Sequence, residues 1–138
     1  MSTYERLTPT DPQMTAFGQG PEDEPVVMVN LLRYRARAAY PREYEGPDPE
    51  VPGEAAYRRY AEAAFQRVRA LGGRLVWGGP SYMTLIGPSN ERWDEVLVVF
   101  YPTRAAFLAM LEDADYQTAL VHRQAALAET RIFACKEM

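Results

Sequence analysis

The chain has 138 residues, 47% of them hydrophobic and 25% charged, which is the size and composition of one globular domain and excludes disorder along its whole length. Its net charge of −4 argues against a protein that lives on nucleic-acid phosphates, and no apolar run approaches the roughly 18–20 residues that cross a bilayer. A single cysteine, Cys135, excludes an internal disulfide, a single histidine, His122, leaves too few ligands for a Cys/His zinc site, and no apolar leader opens the sequence, so a cytoplasmic protein without a metal is expected.

Proline divides the chain. Eight of the 11 prolines lie within residues 1–52, so an arm, one strand and a long loop are expected there and regular structure after it. Residues 1–25 read as an arm with one short helix, Pro12 to Phe17, capped by Asp11 and ended by Gly18 and Gly20. The remainder, 26–138, reads as a single domain. Val26 to Tyr34 is the first strand, and its opening Val-Val-Met-Val is apolar on both faces, the pattern of a strand covered on two sides. Arg35 to Gly53 is a proline-rich insertion of the length found in lids and interface elements.

Glu54 to Leu71 is the clearest helix. Tyr57, Tyr60, Ala61, Ala64, Phe65, Val68 and Leu71 make one apolar stripe at helical period, and Gly72-Gly73 stops it. Arg74 to Ile86 is strand-like, with a bulge or bend expected at Gly78-Gly79-Pro80. A turn at 87–90 leads to a third strand, Trp93 to Tyr101, so the two strands should form a hairpin. Thr103 caps a helix carrying Phe107, Met110 and Leu111 inward. Asp115 caps a further helical segment to about Ala128, and Thr130 to Lys136 is the last strand. The order β-α-β-β-α-β is that of the ferredoxin-like α+β fold, an antiparallel sheet with helices on one face. Strands apolar on both faces predict that a second copy covers the bare face, pairing two sheets into a dimeric α/β barrel.

Several residues could carry chemistry. Arg123 falls within the stripe of Tyr116, Ala119, Leu120 and Leu127, and a buried guanidinium requires an anionic partner. It is a clamp for a ligand carboxylate or carbonyl, or it snorkels at the edge of the stripe or forms a structural ion pair, with Asp94 a candidate partner. His122, about 100° around the helix, is a candidate general base or ligand, with a half-exposed surface histidine as the plainer alternative. Asn30 interrupts an apolar strand and needs hydrogen-bond partners, from a substrate or from a neighbouring loop. Trp77 beside Gly78 could admit a ligand, although a simple bulge explains both, and no phosphate-loop pattern follows. Tyr57 and Tyr116 are core aromatics whose hydroxyls could line a pocket. Cys135 reads as an inert core thiol.

Taken together, Val26 to Tyr34 with its Asn30, Gly72-Gly73, Gly78-Gly79, Asp94 to Tyr101 followed by Pro102-Thr103-Arg104, Asp115-Tyr116, and Arg123 with Ala125-Ala126 resemble the DUF1330 family over about residues 25–137, in its longer form with an arm and an inserted loop. The resemblance implies a ferredoxin-like fold paired as a dimeric α/β barrel, no settled reaction and no cofactor. Cofactor-free and haem-degrading monooxygenases of the wider superfamily resemble the chain in fold. A haem-type set would need Asn30, Trp77 or Trp93, and His122 in one pocket, but His122 lies off the inward stripe.

The leading expectation is a homodimer that binds a small carbonyl- or carboxylate-bearing metabolite between sheet and helices. Asn30, Arg123, Tyr116, Trp77, Gly78 and Tyr57 would contact the ligand, and His122 or Asp94 would handle protons if the protein is an enzyme. A non-catalytic ligand-binding dimer is the alternative. An RNA-binding sheet shares the topology, but the third strand lacks the basic and aromatic pattern that reads bases, so neither nucleic acid nor membrane is expected as a partner.

Overall fold

The structure, a computed structural model, describes residues 7–138. Eight elements follow in order: α1 (Asp11–Gly18), β1 (Val26–Tyr34), α2 (Gly53–Ala70), β2 (Arg74–Pro80), β3 (Glu95–Tyr101), α3 (Arg104–Glu112), α4 (Ala114–Ala126) and β4 (Leu127–Cys135). The strands form one antiparallel sheet in the order β2-β3-β1-β4. This is the ferredoxin-like α+β architecture. No helix among the described residues is long and apolar enough to cross a membrane.

The caps explain where the helices start and correct two expectations. Thr10, not Asp11, caps α1: its side chain accepts the Gln13 N–H while Gln13 reaches back to the Thr10 N–H. Asp113, not Asp115, caps α4 by accepting the Tyr116 N–H at 2.8 Å. The expected cap of α3 holds, with Thr103 accepting the Ala106 N–H at 3.0 Å. The β2 irregularity falls between Leu75 and Trp77 rather than at Gly78-Gly79, and β2 ends at Pro80 rather than Ile86. Cys135 is exposed, because the final residues of β4 run along the sheet's outer edge.

Register fixes which side chains share a face, since directly opposed residues in an antiparallel pair point the same way. One face carries Met28 with Val99, and Leu32 with Thr130 and Glu95, under α2 and α4. The core lies there, with Leu32 and Leu127 fully buried among Met28, Val68, Leu97, Val99 and the tyrosines of α2. The other face presents Phe133, Val29, Val98 and Trp77 as one row across all four strands, and no element among the described residues covers it.

The insertion between β1 and α2 is tied down. Arg35 N–H and Ala39 N–H donate to the carbonyls of Ala126 and Ala125, both at 2.8 Å, and Ala38 N–H donates to Val51 at 2.8 Å. Gly53 stands where these chains converge: a Cβ there would lie 2.2 Å from the Arg35 carbonyl oxygen and 2.6 Å from that of Ala126. Only glycine allows this approach. It brings the start of α2 against the end of β1.

Candidate functional site

That convergence builds a cleft of about 520 Å³ between the sheet and α2. Tyr34 and Arg35 come from the end of β1, Pro52, Glu54 and Arg58 from the start of α2, Pro80 from the end of β2, and Asp94 and Glu95 from the start of β3. Leu32 pairs with Glu95, so Glu95 points under the helices rather than onto the open face. Its side chain is only 13% exposed, against 61% for Arg58 and Glu54.

The polar groups interlock. The Tyr34 hydroxyl donates a short hydrogen bond to Glu95 Oε1. Arg58 Nη2 donates to Glu54 Oε1 at 3.1 Å and stands 3.9 Å from Glu95 Oε1. Burial, then the hydrogen bond to Glu95, pushes the Tyr34 phenol well above its ordinary range, so it stays a proton donor. Asp94 Oδ2 accepts the Tyr34 N–H at 2.8 Å while the Asp94 N–H donates to Leu32 at 2.7 Å, which pins the mouth of the cleft to the sheet. Arg35 Nε donates to the Leu127 carbonyl at 3.1 Å. The arrangement can bind an anion or a carbonyl at Arg58, beside a Tyr34 hydroxyl whose one proton is held by Glu95. No cluster suited to a metal occurs among the described residues.

A row of tyrosines leads inward from the cleft. Ring centroids are 5.6 Å apart for Tyr34 and Tyr57, 5.2 Å for Tyr57 and Tyr60, and 5.9 Å for Tyr60 and Tyr116. The Tyr60 and Tyr116 hydroxyls bond each other at 2.9 Å. At the inner end lies Arg123, 8% exposed, whose Nη1 donates to the Leu7 carbonyl at 2.5 Å. Tyr57, Tyr116 and Arg123 therefore belong to one neighbourhood. Asp94 does not pair with Arg123; it serves the cleft at the other end of the row.

The remaining sequence candidates stand apart. His122 lies on the outer side of α4, where the Tyr40 hydroxyl meets its Nδ1 at 2.7 Å and Arg59 Nη1 donates to the same hydroxyl at 3.0 Å. The Tyr40 hydroxyl thus links His122 to Arg59. Burial, then the nearby Arg59 charge, lowers the His122 pKa from its ordinary value. Asn30 donates to the carbonyls of Met28 at 3.2 Å and Leu97 at 3.4 Å. Gly78 leaves room for Leu97, since a Cβ there would sit 2.8 Å from Leu97 Cδ2. Trp77 is 55% exposed on the open face. Asn30 and Trp77 point to opposite faces of the sheet, and the set expected for haem is not assembled.

Sequence reading missed Tyr34, Arg35, Arg58 and Glu95. Arg58 falls off the apolar stripe of α2, and Glu95 opens an otherwise apolar strand. These were the available signals, but only the β1–β3 register joins them.

No curated protein matches the chain. Among solved structures, the RPA0582 protein of unknown function from Rhodopseudomonas palustris is 37% identical, with a TM-score of 0.87 over 96% of this chain and 97% of that one. Its methylated form gives the same identity and TM-score over 94% of that chain. A dimeric protein of unknown function and ferredoxin-like fold from Bacteroides fragilis is similar in fold, with a TM-score of 0.50 at 9% identity over 85% of this chain and 100% of that one. The model of a domain of unknown function, DUF1330, matches residues 48–137, and the chain belongs to that family.

Proposed function

We propose that this protein binds a small carbonyl- or carboxylate-bearing metabolite in the cleft between the sheet and α2. The observation that carries the reading is the convergence of the Arg58 guanidinium with the phenol of Tyr34, held by Glu95, in one concave space. Arg58 and Arg35 supply charge, the Tyr34 hydroxyl and Glu95 hold each other in the wall of the cleft, and Asp94 holds the rim. Arg58 thus takes the clamp role that the sequence pattern suggested for Arg123. Glu95 is already engaged by Tyr34 and approached by Arg58, an arrangement suited to holding a ligand more than to abstracting a proton.

The protein acts as a homodimer in which each sheet covers the open face of the other. What supports this is the row Phe133, Val29, Val98 and Trp77, with Trp77 and Phe133 each 55% exposed in one copy. A lone exposed thiol, Cys135, fits a reducing cytoplasm.

Calorimetric titration with pyruvate, a small keto acid, tests the cleft. Arg58→Met should weaken binding roughly ten- to a hundredfold, the worth of a charge-assisted hydrogen bond. His122→Ala should leave it unchanged. Equal affinity of the Arg58→Met and unaltered proteins sinks the reading. Turnover of any keto acid by the unaltered protein but not by Tyr34→Phe would make the site an enzyme's.

A further inference from the structure

Among the described residues, Arg123 is the only charged side chain that is buried. It forms no ion pair there, and its hydrogen bond goes to a neutral backbone carbonyl, that of Leu7. A guanidinium has five N–H donors, and a buried one without an anion is strongly disfavoured. Tyr60 and Tyr116 satisfy each other's hydroxyls and so do not neutralise it. The Arg123 charge opposes, without overcoming, the burial that raises the Tyr57 and Tyr60 phenols. Among the described residues, the surroundings of Arg123 therefore carry a positive charge with no anion beside it, among apolar and aromatic side chains.

What Arg123 meets there comes from the arm. Leu7 is 2% exposed and packs into the main core cluster, whereas Thr8, Pro9 and Thr10 that follow are exposed, and α1 buries no residue. Farther along the arm Phe17 packs edge-on against Phe107 and its carbonyl accepts from Arg104, while Leu7 sets an aliphatic side chain in the core and its oxygen on Arg123. A carboxylate carried on a short aliphatic tail reproduces both features. It also replaces a neutral acceptor with a charged one that can take two parallel N–H bonds.

We propose that Arg123 anchors a second binding site, for a short aliphatic monocarboxylate, and that Leu7 of the N-terminal arm is its built-in plug. Ligand and Leu7 compete for one seat, so a bound ligand unseats Leu7 while the Phe17 contacts keep α1 docked on α3. The site is independent of the Arg58 cleft and can fail or stand without it.

The test uses 4-methylpentanoate, which has the leucine side chain and a free carboxylate, with 4-methylpentan-1-ol as its uncharged counterpart. Titrations followed by NMR use the full chain. The acid should bind at least tenfold more tightly than the alcohol and should speed hydrogen exchange at the Leu7 and Thr8 amides. Leu7→Gly, which empties the aliphatic seat, should tighten binding of the acid at least tenfold. Arg123→Met should abolish the preference for acid over alcohol, and Arg58→Met should leave it intact. Absence of binding to both the unaltered and Leu7→Gly chains overturns the proposal. So does equal affinity for acid and alcohol, or a preference lost through Arg58 rather than Arg123. Should Arg123→Met not fold, the comparison of acid with alcohol in the Leu7→Gly chain still decides.

Discussion

The two faces of the sheet are built from the same kinds of residue and meet different fates. Leu97 and Val98 are neighbours in β3 and both aliphatic. Leu97 is 8% exposed beneath the helices, while Val98 is partly exposed in the row with Phe133, Val29 and Trp77. Alternation along a strand reports how many faces are dry, not what dries them. Here both faces lack the polar alternation of a solvated sheet, and this chain covers one. Polar groups mark the rim of the bare face: Arg33 and Arg131 stand 5.3 and 5.4 Å from the Trp93 ring, and both pair with Glu129. An apolar centre with a charged rim is the layout of a protein interface.

Substituting these two neighbours gives the largest contrast. Leu97→Asp places a charge in the core and should abolish cooperative folding. Val98→Asp should leave a folded chain with unaltered circular dichroism that sediments as a monomer, while the unaltered protein sediments as a dimer. A Val98→Asp protein that stays dimeric would show that the second copy sits elsewhere. Milder truncation on the covered side, Leu32→Ala, should lower stability in urea by about 2–5 kcal/mol through the cavity it leaves.

Alkaline titration separates the covered side in another way. Burial is the first cause of the raised phenol pKa of Tyr34, Tyr57, Tyr60 and Tyr101. A raised folded-state value means that their contribution is complete below the ordinary phenol range near pH 10. It is lost as pH rises through the folded-state values. Tyrosinate absorbance from these four should therefore appear only above the ordinary phenol range and rise together with unfolding. Four phenols ionising near pH 10 in a folded protein would contradict their burial. Removing one hydroxyl is a smaller change: Tyr60→Phe should cost about 1–3 kcal/mol, because it strands the Tyr116 hydroxyl in the core.

How much of this was legible in the sequence depends on the range of the interaction. The α2 stripe, the succession of strands and helices along the chain and the inward position of Arg123 follow from local pattern. The two misplaced caps differ from the true ones by one and two residues, because Thr10, Asp11, Asp113 and Asp115 are all competent caps and the choice depends on how each segment packs. The cleft was not legible. Tyr34, Arg58 and Glu95 meet only through one β-register and the close approach at Gly53, and no local pattern encodes either. Arg123 shows the limit most sharply. Its burial is written in the helix period, but its partner is a backbone carbonyl 116 positions away, an atom every residue possesses.

The smallest expected effect concerns the insertion on the far side of the helices. Tyr40 fastens it to His122 and Arg59, and its ring stacks on Tyr44 at 4.1 Å. A lowered imidazole pKa means that this fastening contributes fully above His122's ordinary value of 6.5 and is lost as pH falls through the lowered one. Protonation would make both ring nitrogens donors and set a second positive charge beside Arg59. Imidazole NMR should report a His122 pKa below 6.5 in the unaltered protein, and Arg59→Gln should raise it by removing that charge. The Ala39 N–H, bonded to Ala125, should exchange faster below that pKa once intrinsic rates are divided out. The Val99 amide, in the middle of the sheet, should not. Equal acid sensitivity at both amides would mean that the whole domain loosens rather than the insertion, and the comparison between covered core and tied-down periphery would fail at this point.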